Sequence, residues 1–246
     1  MKSFCLLIVQ LLLFAACSRQ PRNQESFPKH DTVSAPIVAS TGWKSLFDGK
    51  TLNGWRIFKD RPNNTWEVKD GALHCRPVVE GVKGADERSD LISTETYGNF
   101  ELVFDFKFAS ETNSGVMFRV SEELDQPYHT GPEYQILDDM GYPGKVTEMQ
   151  LTGATFGLYA TTGTKKLHPA GEWNNGKIVA NGKHIEHWLN GDKILEYEIG
   201  SPDWTKRRDA SKWKEFPRFS LEDNGHIDLQ DHGSEIWFRN ILIRSL

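Results

Sequence analysis

The sequence predicts an all-β domain, a sandwich or barrel of antiparallel strands. Three observations carry this. Short runs of alternating apolar and polar residues recur from Trp43 onward, turn residues rich in Gly, Asn and Asp separate them, and no long helical period survives beside them. The clearest run is Phe100–Phe108, in which Phe100, Leu102, Phe104, Phe106 and Phe108 share one side. That stripe reads as core, since burying each such side chain gains roughly 1.5–3 kcal/mol. Glu101, Asp105 and Lys107 on its other side read as solvated.

Further strands are expected at Trp66–Val68, Val116–Val120, Tyr134–Leu137, Thr155–Tyr159, Lys177–Ala180, His184–Leu189, Ile194–Ile199, Phe216–Leu221, Ile227–Leu229 and Ile236–Ile243. Asp70-Gly71 and Asn190-Gly191 mark hairpin turns, because Asn and Gly tolerate positive φ. Asp203–Lys214 is the one short helix expected.

The N-terminus is set apart by composition. Lys2 precedes an apolar run from Phe4 to Ala16 that ends in Phe-Ala-Ala-Cys at Cys17. This run is too short to span a bilayer and fits a signal peptide, residues 1–17, with Cys17 as a lipidated N-terminus. Residues 18–41, rich in Ser, Gln, Pro, Asn and Thr, read as a flexible tether, and 42–246 as one domain. The expected location is therefore the periplasm or the outer membrane, held by a lipid anchor. Cys75 is then the only cysteine left besides Cys17, so the domain relies on its core and not on an internal disulfide. A net charge of −5 without a basic stripe argues against nucleic acid as a partner.

Three strands carry chemistry-bearing groups opposite their apolar side. Around Val116–Val120, Met117 and Arg119 oppose Val116, Phe118 and Val120. In Glu133–Leu137, Glu133 and Gln135 oppose Tyr134 and Ile136. In His226–His232, His226, Asp228, Gln230 and His232 oppose Ile227 and Leu229. No Gly-x-Ser-x-Gly elbow, phosphate-cradling glycine loop or His-Glu-x-x-His is present. His184-Ile185-Glu186-His187 reads as a polar outer strand, since His187 points away from His184 and Glu186.

The ordered segments Asn113-Ser114-Gly115…Arg119, Gly131-Pro132-Glu133-Tyr134-Gln135-Ile136-Leu137-Asp138, Gly171-Glu172-Trp173-Asn174 and Leu229-Gln230-Asp231-His232-Gly233 resemble the 3-keto-disaccharide hydrolase domain family. Leu46–Trp55 and Phe238–Ile241 extend the resemblance over essentially Trp43 to the C-terminus. It implies a concanavalin A-like jelly-roll sandwich of two curved antiparallel sheets. It further implies cleavage of glycosides or disaccharides whose C3 hydroxyl is oxidised to a ketone, by hydrolase or 1,2-lyase/hydratase chemistry.

A C3 ketone acidifies the C2 proton, so cleavage needs a base near C2, a cation or donor near the C3 oxygen and an acid at the glycosidic oxygen. Glu133 and His232 are the candidate proton-transfer pair and Arg119 the candidate cation. Gln135 and Gln230 suit hydroxyl recognition, and Asp138, Asp228 and Trp173 are further substrate-binding candidates. In a regular strand Asp138 faces opposite Glu133. Asp231 falls on the apolar side, as an orienting residue, and His226 reads as surface. A divalent metal is chemically compatible with keto and hydroxyl oxygens, through His232, Asp228 and Glu133, but no spacing demands one. Two other readings stay open: a non-catalytic carbohydrate-binding module and a conventional two-carboxylate glycosidase.

Overall fold

A computed structural model describes residues 42–78 and 87–246. The predicted signal peptide, Cys17 and tether lie outside the described residues. Thirteen strands are described: β1 (Lys44–Ser45), β2 (Trp55–Ile57), β3 (Trp66–Lys69), β4 (Ala72–Cys75), β5 (Leu91–Tyr97), β6 (Phe100–Phe108), β7 (Asn113–Val120), β8 (Glu133–Leu137), β9 (Asn174–Asn181), β10 (His184–Leu189), β11 (Asp192–Glu198), β12 (Gly225–Leu229) and β13 (Ile236–Ser245). In place of the single helix expected over Asp203–Lys214 stand a helix, α1 (Pro202–Asp209), and a 3-10 turn at Lys212–Glu215.

The strands form two antiparallel sheets. The larger runs β11-β10-β9-β6-β13-β4-β3, with β1 beside β13; the smaller runs β2-β5-β12-β7-β8. Their inner faces pack through the β6 stripe, every member of which is at most 1 % exposed. The Phe100 ring meets Phe118 edge-on at 6.0 Å and Phe104 meets Tyr134 at 5.5 Å, so β6 of one sheet is locked onto β7 and β8 of the other.

Three sequence expectations change here. Thr155–Tyr159 is a turn closed by Thr155–Tyr159 backbone hydrogen bonds, with a bridge from Thr155 to Tyr134. Phe216–Leu221 is also a succession of turns, and its aromatic residues pack on Trp213. β5 escaped the sequence reading because only Leu91 to Ser93 are buried, and the next residues are exposed on both faces. Asp105 is not solvated: it is 5 % exposed and accepts from Asn175 Nδ2 at 2.9 Å and Asn240 Nδ2 at 2.7 Å. Cys75 is free and buried.

β8 is the last strand of the smaller sheet. Its outer backbone is taken up by the following loop, where Gln135 N–H donates to Ala154 O, and Gly153 and Phe156 N–H donate to Gln135 O and Glu133 O.

Candidate active site

The outer face of the smaller sheet carries the acidic residues. Register pairs Asp228 of β12 with Met117 of β7, and Met117 with Glu133 of β8, so the two carboxylates share a face across one intervening strand. One step along, Gln135 lies opposite Gly115, and Gln230 N–H donates to Gly115 O at 3.0 Å. Gly115 is required by this arrangement: a Cβ there would fall 2.3 Å from Glu133 Oε1 and 2.7 Å from Glu133 Cγ. The Glu133 carboxyl therefore lies over the Gly115 backbone, between the two glutamine-bearing strands.

Asp90, just before β5, joins them. Its Oδ1 accepts the Asp231 N–H at 2.8 Å. Asp231 is itself fixed: its carboxylate accepts from Arg88 Nε at 2.8 Å, Thr65 Oγ1 at 2.6 Å and Gly233 N–H at 3.0 Å. The orienting role expected of Asp231 thus has a target, an aspartate that no alternation pointed to.

Phe58, Ile92, Met117 and Val120 form an apolar cluster on this same face. Low polarity disfavours the charged form of a carboxyl. Burial pushes Glu133 up to about 8 against the opposing charge of Lys212, with Asp90 adding to the rise. Asp90 is pushed up to about 7, again chiefly by burial. Asp228 is held well above the usual carboxylate range by burial and then by the charges of Asp90 and Glu133. It is 0 % exposed, and among the described residues neither carboxyl oxygen has a hydrogen-bond partner; Gln135 Oε1 and Gln230 Oε1 are likewise buried without one. Gln135 Nε2 is committed to Asn113 Oδ1 at 2.8 Å, which fixes the amide with its oxygen free.

Four predicted residues lie elsewhere. Arg119 has φ +53°, and between Val120 and Met117 three steps of β7 match two of β12, a bulge that breaks the alternation. Its buried guanidinium donates to Gly98 O at 3.0 and 2.9 Å and to Gly182 O at 2.8 Å, leaving the acidic face. Asp138 is a loop staple, accepting from Glu111 N–H at 2.9 Å and Gly141 N–H at 3.0 Å. Trp173 lies on the outer face of the larger sheet, with Arg239 Cζ 4.0 Å and Lys107 Nζ 5.2 Å from its ring centroid. His232 is exposed on the turn after β12, beside the Asp231 amide that holds Asp90. His226 is not simply surface either: it is partly buried with Nδ1 2.7 Å from Ser93 O.

Glu133, Asp228 and His232, weighed above as metal ligands, do not converge on one point. Among the described residues, the group of such side chains whose ligand atoms all lie within 4.8 Å is His184, Glu186 and Glu196. Lys193 Nζ sits against that group, 3.2 Å from Glu186 and 2.5 Å from Glu196, so an ammonium holds the position an ion would take.

Among the described residues, unpartnered acceptors on a buried sheet face stand beside carboxyls that burial pushes upward, and the two sheets define a jelly-roll protein. The sequence pattern of the 3-keto-alpha-glucoside-1,2-lyase-like domain matches residues 42–244, and the chain belongs to that family. It is 33 % identical over 241 residues to a 3-keto-disaccharide hydrolase of Bacteroides thetaiotaomicron, covering 88 % of this chain and 82 % of the other. A crystal structure of a candidate glycosyl hydrolase from Parabacteroides distasonis superposes with a TM-score of 0.75 at 35 % identity, over 83 % of this chain and 94 % of that one. A Bacillus subtilis protein with a galectin-like fold matches at 13 % identity and a TM-score of 0.51, covering 79 % and 90 %; it supports the fold alone.

Proposed function

We propose that this chain cleaves 3-keto-glycosides, with Glu133 and Asp90 as the proton-transfer pair and Asp228, Gln135 and Gln230 as the hydroxyl-binding set. The observation that carries the reading is the group of four buried acceptor oxygens without donors on Asp228, Gln135 and Gln230. Each unpaired buried acceptor costs about 1–3 kcal/mol, a cost that ligand hydroxyls would recover. Family membership and the B. thetaiotaomicron relative favour the oxidised sugar over an ordinary glycoside.

In this reading the group titrating near 7, Asp90, takes the C2 proton, and the C2–H electron pair forms C2=C3 while the C3 carbonyl becomes an enolate. The carbonyl then re-forms, the pair moves to C1=C2, and the C1–O bond breaks. Glu133, still protonated near neutrality, gives its proton to the departing oxygen. Release of the resulting enone is lyase chemistry; addition of water to it completes hydrolysis. His232, exposed beside the Asp90 anchor, is proposed to meet the leaving group or the incoming water. Export and anchoring through Cys17 belong to the same proposal, since oxidised saccharides would then be met outside the cytoplasm; mass spectrometry of the mature N-terminus checks it.

The test compares the purified protein on a 3-keto-glucoside and on its unoxidised parent. Aglycone release from the first alone is expected. Tight binding of both without turnover favours the binding-module reading, and cleavage of the parent favours a conventional two-carboxylate glycosidase.

A further inference from the structure

Deprotonating C2 of a 3-keto sugar puts negative charge on the C3 oxygen, and Arg119 does not reach the acidic face to meet it. The other cations around that face are also committed. Arg88 holds Asp231, Lys165 Nζ lies 2.5 Å from Asp139, and Arg61 donates to Asp125 O at 2.5 Å with its guanidinium 5.3 Å from the Phe58 ring centroid. Lys212 differs from them. Among the described residues, no carboxylate or carbonyl oxygen lies within hydrogen-bonding distance of its ammonium. Nζ instead stands over aromatic rings, 4.5 Å from the Trp213 centroid, 4.6 Å from Phe156 and 5.9 Å from Tyr128.

The surrounding fold fixes it there. The segment that follows α1 folds back onto the end of the smaller sheet. Ser211 Oγ caps the 3-10 turn by accepting the Trp213 N–H at 3.2 Å, and Trp213 Nε1 donates to Phe156 O at 3.0 Å. The Phe156 N–H in turn donates to Glu133 O. One continuous chain of contacts thus ties the Lys212 turn to the Glu133 backbone. Lys212 is exposed, but partial loss of solvent around its ammonium draws the lysine below its usual range, with the charge of Glu133 opposing the fall. A cation held by ring faces alone keeps all three N–H donors for an incoming oxygen.

We propose that Lys212 is the catalytic cation of this site, donating to the C3 oxygen of the substrate as that oxygen gains enolate charge. This rests on the 3-keto reading above. Lys212 transfers no proton in this step; the C2 proton goes to Asp90 and the leaving oxygen's proton comes from Glu133, so its part is charge stabilisation alone.

The experiment follows two events on one 3-keto-glucoside, exchange of the C2 proton for deuterium in D2O by NMR, and aglycone release. Lys212→Met is expected to lower both by about 10²–10³-fold with KM changed by less than about threefold, and Lys212→Arg to restore part of both. A purely structural turn would raise KM and leave exchange in the bound sugar unchanged. Lys212→Met retaining wild-type exchange and kcat overturns the assignment while the 3-keto reading stands. Wild-type protein inert on the 3-keto sugar overturns the reading and this assignment with it.

Discussion

At the scale of single residues, the acidic face is held in a costly state. A carboxyl whose proton is bound more tightly folded than unfolded loses stability as pH climbs from its ordinary value through its raised one. For Glu133 that window runs from 4.5 to about 8, and Asp228 behaves the same way from 3.8 upward. Asp228→Asn is therefore expected to stabilise the protein at pH 8 by about 1–4 kcal/mol, raising Tm by several degrees, with the gain shrinking toward pH 4. Thermal unfolding at the two pH values measures this, and a lower Tm for the variant at pH 8 would contradict it. In the proposed mechanism the same values set the pH dependence of turnover. With Asp90 required as its anion and Glu133 as its acid, kcat/KM on a 3-keto-glucoside should rise through about 7 and fall through about 8. Because the carboxyls interact, the two limbs belong to the cluster, and Glu133→Gln should abolish turnover and remove the alkaline limb from any residual rate.

Much of this cluster was legible in the alternation of β8 and β12, which put Glu133, Gln135, Asp228 and Gln230 on one side. Asp90 was not, since it precedes a strand whose burial fades after three residues and reaches the site through the Asp231 amide. Long-range backbone contacts leave no local pattern.

At the scale of the element, β7 decides what the site looks like. Its middle is emptied by Gly115 so that the Glu133 carboxyl can cross it, and its end is bent by the Arg119 bulge. Gly115→Ala is expected to displace Glu133, lowering kcat by about 10²-fold or more, while costing about 1–3 kcal/mol of stability through overpacking. A variant with unchanged kcat would show that Glu133 does not need this resting place. Period-2 reasoning identified β7 as a strand and then failed at its end: a positive φ at Arg119 took that residue off the face to which counting assigned it and brought Val120 round beside Met117. The aromatic runs Thr155–Tyr159 and Phe216–Leu221 misled for another reason. Their apolar residues pack onto Trp213 and the sheet end as turns, and burial alone cannot distinguish that from a strand.

At the scale of the whole molecule, the two sheets divide the work. The larger one turns charged and aromatic side chains outward against one another, as Trp173 stands with Arg239 and Lys107. The smaller one leaves acceptors open. Arg119 ties the two at one end, because Gly98 lies between β5 and β6 and Gly182 between β9 and β10. Arg119→Ala should cost about 1–3 kcal/mol by removing the donors to the Gly98 and Gly182 carbonyls, while kcat of the folded fraction stays near wild type. Denaturant unfolding combined with active-site titration separates the two effects, and a large kcat loss at full folding would return Arg119 to the reaction.

The loop that occupies the outer side of β8 has a further consequence. A terminal strand with bare amides and carbonyls invites a strand from another molecule to extend the sheet, and the natural remedy is to cover it. Here residues 153–156 already fill that rim, and the opposite rim of the same sheet is the three-residue β2. The strand bearing Glu133 therefore offers no template for intermolecular pairing. The acidic face can thus be displayed without the sheet beneath it recruiting other chains.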